Sequence, residues 1–264
     1  VHQRIDFLML TMDQLVNHAS KWRAMFGGRQ AVPLVMRAIV GRGWGNGPQH
    51  TQSLHALFAH VPGLKVVVPA TPYDAKGLLI GAIENDDPVI YIEHRWLHEE
   101  EGEVGPGCYR VPLGSARIAR PGSDLTIAAV GPLVPESLKA AQALMGQGIS
   151  AEVIDLRSIR PLDRKTLLTS VTRTGRLVVA DADWGPCGVS AEVIALVAEH
   201  ALDALKTAPV RVTWPDSPVP SSQALESRFY PGSRQIQAAA LWACDHGTTV
   251  ELTASTVKTF EGPF

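Results

Sequence analysis

Residues 41–74 read GRGWGNGPQHTQSLHALFAHVPGLKVVVPATPYD, and this stretch decides the fold. Four glycines and a proline stand among its first eight residues. Glycine loses much backbone entropy in helices and strands, and proline lacks an N–H, so this segment predicts a loop that approaches another group closely. A short helix, a strand over 65–70 and a helix beginning with Thr71 as N-cap and Pro72 are expected next. That order is typical of an α/β protein.

The strand predicted before this loop places the loop where α/β proteins bind ligands. Residues 32–40, VPLVMRAIV, are rich in β-branched side chains and predict a buried parallel strand. Ligands of open α/β sheets bind beyond the carboxyl ends of such strands. An amphipathic helix over 12–26 and a strand over 88–94 complete the set. We therefore predict a first α/β domain over residues 1–93, incomplete at its N-terminus.

A second series of strands and helices is predicted further along the chain. Residues 94–122 are rich in glycine, proline and charge, which is typical of a connector, and the domain boundary is expected near Gly122. From Ser123 the alternation of strand and helix restarts and continues to Gly247. Residues 248–264 form a tail without a usable pattern. The predicted fold class is α/β, with two doubly wound domains.

Composition excludes several classes of protein. The chain has 264 residues, of which 45% are hydrophobic and 19% are charged, as in globular proteins. Its formal net charge is -2 and it has no basic tract, so neither nucleic acid nor a membrane surface is an expected partner. Its three cysteines are far apart, which predicts reduced thiols in the cytoplasm or the mitochondrial matrix.

Several motifs resemble one enzyme family. They read HTQS at 50–53, FAHVPGLK at 58–65, PYDAKG at 72–77 and DFLMLTMDQLVNHASKWRAMFGG at 6–28. The chain resembles, over roughly residues 6–240, the β-subunit of the decarboxylating component of 2-oxoacid dehydrogenase complexes, such as pyruvate dehydrogenase. These are thiamine diphosphate enzymes of the transketolase group. The resemblance implies a partial pyrimidine-type domain followed by a domain like the transketolase C-terminal domain.

His50 is the candidate catalytic residue. It stands at the end of the glycine-rich loop, beyond a predicted strand end. The resemblance implies that it faces the thiazolium end of the cofactor and the bound 2-oxoacid. A histidine that helps there by acid–base catalysis typically speeds a reaction by roughly 10²–10⁴-fold. Without the resemblance, a structurally bound histidine would be the more common interpretation.

Phe7 is the candidate cofactor-binding residue. The resemblance implies that it lies on a strand and forms one wall of the aminopyrimidine pocket. A core aromatic is the alternative. Arg4 stands where many members have an aromatic side chain, so this wall is expected to differ from theirs.

A potassium site is a further implication of the resemblance. Some members bind this ion mainly through backbone carbonyls, in keeping with the preference of hard cations for oxygen ligands. The corresponding residues are Leu34, Ala82, Ile83, Asn85 and Asp87. A helix end that leads into a turn is the alternative interpretation of the segment 82–87.

Two other groups of polar residues are interpreted as structural. His55 and His60 flank one short helix and are expected to be structural or to lie at a rim. Asp181 and Asp183 are expected to be turn carboxylates outside an apolar environment.

The cofactor site is expected to be shared with a second chain. The family's essential glutamate lies upstream of the position of Val1, and the diphosphate and magnesium motif belongs to the α-subunit of two-chain members. Thiamine diphosphate with magnesium is therefore expected between this chain and an α-subunit, in an α2β2 heterotetramer. The enzyme would decarboxylate a 2-oxoacid and pass the acyl group to the lipoyl acyltransferase component.

Two alternatives stay open at this point. The first is another enzyme of the transketolase group, such as one that cleaves acetoin. The second is a non-catalytic structural or regulatory subunit. An upstream segment with the glutamate would favour catalysis, whereas its loss would favour a structural role.

Overall fold

The computed structural model describes residues 1–41 and 45–244. Residues 42–44 of the predicted glycine-rich loop, and the predicted tail 248–264 with the three residues before it, lie outside this range. Two mixed, mainly parallel sheets with helices around them form the structure, which confirms the predicted α/β class. No helix in the described part of the chain is long and apolar enough to cross a membrane.

The first sheet contains the strands on both sides of the glycine-rich loop. Its members are β1 (Val35–Val40), β2 (Lys65–Val67), β3 (Val89–His94) and β7 (Ser158–Arg160), in the order β1-β3-β2-β7. The first three run parallel, whereas β7 is antiparallel to β2. Its helices are α1 (Ile5–Leu8), α2 (Ser20–Met25), α3 (His55–Ala59) and α4 (Pro72–Ile83).

Local chemistry explains where α4 begins. Thr71 has extended backbone geometry, and its hydroxyl accepts a hydrogen bond from the Asp74 N–H at 3.1 Å. Pro72 occupies the first helical turn, where its missing N–H has no cost. The cap predicted at Thr71 is confirmed.

The N-terminal segment differs from its prediction. Phe7 was expected on a strand, but it lies in the short helix α1, and only His2 pairs with β1, through an isolated bridge to Ala38. The strand prediction is wrong because Ile5 and Leu8 are both fully buried, as on one face of a helical turn, whereas a strand would point them to opposite faces. A π-helical stretch, Asp13–Ala19, then joins α2.

The second sheet holds five strands. They are β4 (Arg117–Arg120), β5 (Leu125–Ala129), β6 (Ala151–Asp155), β8 (Leu177–Trp184) and β9 (Val210–Trp214), in the order β4-β6-β5-β8-β9. Its helices are α5 (Leu133–Met145), α6 (Arg164–Thr174), α7 (Val189–Ala201), α8 (Gln223–Phe229) and α9 (Ser233–Cys244). The strand order reverses between β5 and β8. β4 lies within the predicted connector 94–122.

The second half of the chain contributes to the first sheet. β7 belongs by sequence to the second half of the chain, yet it adds the edge strand of the first sheet. One hydrophobic core contains Phe58 and Val66 from the first half together with Leu156, Leu167 and Val193 from the second. The halves therefore share buried apolar surface, which is the main favourable term in folding.

Candidate active site

His50 lies in the loop that connects β1 to α3. Its side chain is half-buried, and its backbone N–H points to the Gly47 carbonyl at 3.4 Å. The Thr51 hydroxyl donates to the same carbonyl at 2.5 Å. These bonds fold the chain into a turn just before α3. His50 thus lies in the loop that follows the carboxyl end of β1.

Phe7 and His50 are in contact. Their ring centroids are 5.0 Å apart and their planes meet at 70°, which is an edge-to-face arrangement. Phe7 is 39% exposed, so part of its surface is accessible to a ligand. The two residues predicted as catalytic and cofactor-binding therefore form one surface.

Asp6, the neighbour of Phe7, connects α1 to the loop that carries His50. Its Oδ1 accepts hydrogen bonds from both the backbone N–H and the side-chain amide of Gln52, at 3.2 and 3.0 Å. The helix that carries Phe7 is thus tied to the loop that carries His50. The second oxygen of Asp6 is buried and has no hydrogen-bond partner. Such an oxygen is costly unless a ligand or a solvent molecule donates to it.

The glycines of the loop allow the close approach that the sequence predicts. Gly41 has φ 105°, and a Cβ there would lie 2.8 Å from the ring of His94. Gly47 has φ 67°, and a Cβ there would collide with the hydroxyl of Ser221 in the second domain. A residue other than glycine at position 47 would be strained by this positive φ and would require the Ser221 side chain to move.

His55 is not a rim residue. It is 2% exposed, and its Nε2 lies 2.9 Å from Asp181 Oδ1 and 3.6 Å from Asp183 Oδ2. Both carboxylates lie in strand β8 and are buried, so the interpretation as turn carboxylates outside an apolar environment is wrong. The physical reason is tertiary: the partner His55 comes from a segment 126 residues away from Asp181 in the chain. His60, in contrast, is exposed.

The buried cluster shifts the pKa of its members. Burial disfavours the imidazolium of His55, but the charges of Asp183 and Asp181 and the Asp181 hydrogen bond outweigh it and raise the pKa of His55 to about 9. Burial raises the pKa of Asp183 to about 6, against the attraction of His55. His55 is therefore a cation between two carboxyl groups at neutral pH.

Both halves of the chain match domains of known proteins. Residues 1–99 match the family model described as transketolase, pyrimidine binding domain, and residues 114–236 match transketolase, C-terminal domain. The acetoin:2,6-dichlorophenolindophenol oxidoreductase subunit beta of Cupriavidus necator is 49% identical to this chain, and the match covers 89% of this chain and 70% of that protein. The Bacillus subtilis protein of the same name is 43% identical, over 89% and 69%.

Pyruvate dehydrogenases match as well. The pyruvate dehydrogenase E1 component subunit beta of Bacillus subtilis is 41% identical, and the match covers 89% of this chain and 72% of that protein. This chain belongs to the E1 β-subunit family of 2-oxoacid and acetoin dehydrogenase complexes. The resemblance inferred from the sequence motifs is confirmed. Membership of the E1 β-subunit family implies a thiamine diphosphate-dependent system and an α-subunit as partner.

A solved structure shows the same fold. It is described as a split gene transketolase, inactive beta4 tetramer, and it superposes with a TM-score of 0.75 at 24% identity, covering 92% of this chain and 74% of that chain. At that identity the likeness concerns the fold alone. Both domains of this E1 β-subunit are therefore transketolase-like in architecture.

The residues around His50 fit one end of thiamine diphosphate. A partly exposed aromatic side chain at Phe7, a half-buried imidazole and an unpartnered buried carboxylate oxygen at Asp6 suit a flat heterocycle with polar edges. The roles of His50 and Phe7 remain predictions for this E1 β-subunit.

The residues predicted to bind potassium already have partners. The Leu34 carbonyl accepts from the Val89 N–H at 2.8 Å, and the Ala82 carbonyl accepts from the Asn85 N–H at 3.2 Å. Asn85 Oδ1 accepts from Lys65 at 2.8 Å. Asp87 pairs with Arg23 and Lys65, at 2.7 and 3.0 Å, and Ile83 is exposed. Because two basic side chains already neutralise this segment, its side chains do not fit a cation site, and a potassium ion there stays a prediction that rests on backbone carbonyls.

Proposed function

We propose that this chain is the β-subunit of a thiamine diphosphate-dependent dehydrogenase that cleaves a carbon–carbon bond next to a carbonyl group. The acyl fragment would pass to a lipoyl group of a partner acyltransferase component. The observation that carries the proposal is the edge-to-face pair of Phe7 and His50 beyond the end of β1. Membership of the E1 β-subunit family supports it independently.

Each residue of the pair has a distinct task. Thiamine diphosphate, when bound beside His50 and Phe7, would supply the nucleophilic carbon for the reaction with the substrate carbonyl group. His50 donates a hydrogen bond or a proton to the substrate oxygen on which negative charge develops. Phe7 forms an apolar wall beside it and excludes water, which strengthens that hydrogen bond.

The rest of the site comes from the α-subunit. This chain contains no GDG motif followed by paired asparagines, the pattern that holds the diphosphate and magnesium in the family. We therefore place those groups on the α-subunit of an α2β2 heterotetramer. The catalytic site would lie between the two subunits, with His50 and Phe7 on the β side.

The substrate is either acetoin or a 2-oxoacid such as pyruvate. Both have a carbonyl carbon beside the bond that breaks, so the same His50 chemistry serves both. Acetoin is favoured by one observation, which is that the acetoin relatives are 49% and 43% identical to this chain and the pyruvate relative is 41% identical. Pyruvate remains the second candidate.

Turnover by the assembled enzyme tests this proposal. The full-length chain is purified with its α-subunit and supplied with thiamine diphosphate, magnesium and 2,6-dichlorophenolindophenol as electron acceptor. We expect reduction of the dye with acetoin, pyruvate or 2-oxoisovalerate, and none when thiamine diphosphate is omitted. An assembly that binds the cofactor but reduces no dye with any of them would favour a non-catalytic subunit.

A further inference from the structure

We propose that the second domain positions His50, and that His55, Asp181 and Asp183 are the positioning residues. This inference rests on the proposed role of His50 in catalysis. It assigns a task to a domain that contributes neither His50 nor Phe7 to the site. None of the three residues touches the reacting atoms, so they act through the loop that carries His50.

A series of hydrogen-bonded side chains connects the two domains. Ser53 Oγ lies 2.8 Å from His55 Nδ1, and His55 Nε2 lies 2.9 Å from Asp181 Oδ1. An imidazolium would donate through both nitrogens, to the Ser53 hydroxyl oxygen and to the Asp181 carboxylate. Because the group is buried, the hydrogen bonds gain strength from a low local dielectric, and losing one partner is costly.

The contact between the domains lies at the edge of the second sheet where its strand order reverses. Ligands of open α/β sheets bind where the strand order reverses, which in the second sheet is beyond β5 and β8. Here Val68 of the first domain stands 3.0 Å from the position of a Cβ on Gly131, which follows β5. His55 occupies the β8 side through Asp181. The first domain thus contacts the second sheet on both sides of this switch point.

The carboxylates of β8 also hold the start of two helices. Asp183 accepts a hydrogen bond from the backbone of Ala56, in the first turn of α3. Asp181 Oδ2 accepts from the Ser190 N–H at 2.9 Å, in the first turn of α7. Negative charge at a helix N-terminus is stabilising, so both helices are fixed to the same strand end.

The anchored helix is separated from His50 by only four residues. Thr51 bonds to the Gly47 carbonyl, Gln52 to Asp6, and Ser53 to His55. Every side chain between His50 and Leu54 therefore has a hydrogen bond. Leu54, the one remaining residue of the segment, packs against the shared hydrophobic core, so a shift at His55 is expected to reach His50. At the other end of the same loop, Gly47 lies close to Ser221 of the second domain.

A nucleophilic role for Ser53 is excluded by burial. Serine, histidine and aspartate follow one another as in a hydrolytic triad. However, Ser53 and His55 are each 2% exposed, so no substrate can reach the hydroxyl. The network is suited to holding a position and not to attacking a bond.

The test compares two buried interdomain carboxylates in the assembled enzyme. Asp181→Asn removes the charge that holds His55. Asp74→Asn is the matched control, because Asp74 is also fully buried and pairs with Arg157 of the second domain at 2.7 Å, but it lies in α4, away from the His50 loop. Hydrogen exchange of the peptide 45–54 and the split between kcat and KM are measured for both.

We expect Asp181→Asn to raise the exchange rate of residues 45–54 and to lower kcat about 10-fold, with KM changed less than about threefold. Asp74→Asn should lower Tm but leave both readouts within about twofold of the parent. The double variant of His55→Gln with Asp181→Asn, which keeps a neutral hydrogen bond, should recover part of kcat relative to Asp181→Asn. If Asp181→Asn does not fold, Asp183→Asn and Ser53→Ala take its place.

Equal effects of Asp181→Asn and Asp74→Asn on the loop, or no effect of Asp181→Asn, would overturn the positioning role. Hydrogen exchange needs no turnover, so this readout separates the two proposals. Faster exchange in Asp181→Asn together with a parent enzyme that is inactive on every substrate would retain the positioning role and reject the proposed function.

Discussion

The edge of the Phe7 ring meets the ring of His50 at a centroid distance of 5.0 Å, although the two residues come from different elements. Phe7 is fixed in α1, and His50 is fixed in the loop after β1. The Asp6–Gln52 hydrogen bonds keep these elements together. The pair is therefore held in place by the chain's own hydrogen bonds, as a preorganised site requires.

Replacing His50 should stop catalysis without unfolding the chain. His50→Ala removes the donor to the substrate oxygen, and we expect kcat of the assembled enzyme to fall by roughly 10²–10⁴-fold. Its side chain is only half-buried, so Tm should change little. His60→Ala is the control, because His60 is exposed at the end of α3 and should leave kcat unchanged. Parent-like turnover by His50→Ala would remove His50 from the mechanism.

Replacing Phe7 should weaken cofactor binding. An aromatic contact contributes about 0.5–1.5 kcal/mol, so Phe7→Ala should raise the Kd of thiamine diphosphate for the assembled enzyme by roughly 2- to 10-fold. Phe26→Ala is the matched control, since Phe26 is 41% exposed against 39% for Phe7 and contacts Trp22 instead of His50. Calorimetric titration measures both, and equal Kd values would show that Phe7 is not part of the pocket.

Removing Arg157 should destabilise the junction between the domains. Arg157→Met leaves Asp74 buried without its 2.7 Å partner, and breaking a buried pair in this way costs about 3–5 kcal/mol. For a chain of this size Tm should fall by roughly 6–20 °C in a thermal melt. Arg110→Met removes an exposed pair with Glu84 and should change Tm little. Equal Tm values for the two variants would contradict a stabilising role for the Arg157–Asp74 pair.

Stability should fall as pH rises above neutrality. The pKa of His55 is raised to about 9 in the folded chain, against about 6.5 in the unfolded chain, so folding binds a proton. The contribution of His55 to the free energy of unfolding is complete below pH 6.5 and is lost as pH rises through about 9. The loss is at most about 3 kcal/mol.

Chemical denaturation at several pH values checks this prediction. The His55→Gln variant should show a flatter dependence of unfolding free energy between pH 6.5 and 9 than the parent. Burial raises the pKa of Asp183 to about 6, so Asp183 affects the pH dependence of the unfolding free energy mainly below that range. A variant with the same slope as the parent would mean that His55 is not protonated at neutral pH.

Local sequence patterns were sufficient for elements whose cause is local. Thr71, Pro72 and the apolar strands predicted α4 and the parallel strands because capping and periodicity act within a few residues. The crossing of β7 to the first sheet could not be predicted in this way, because its pairing partner is β2, far along the chain.

The same limit applies to the candidate site. His50 was predicted as a candidate from its place after a strand and a glycine-rich loop and from the family resemblance, and its role stays a prediction. The partnership of His55 with Asp181 could not be predicted, because it depends on how two domains meet. Apolar residues around Asp181 in β8 were the available signal, since a carboxylate inside a buried strand needs a partner.

Binding of the cofactor tests the shared site most directly. Thiamine diphosphate with magnesium is titrated calorimetrically into the full-length chain alone and into the same chain assembled with its α-subunit. The proposed shared site predicts binding by the assembly and none by the chain alone. Tight binding by the isolated chain, or no binding by the assembly, would contradict it.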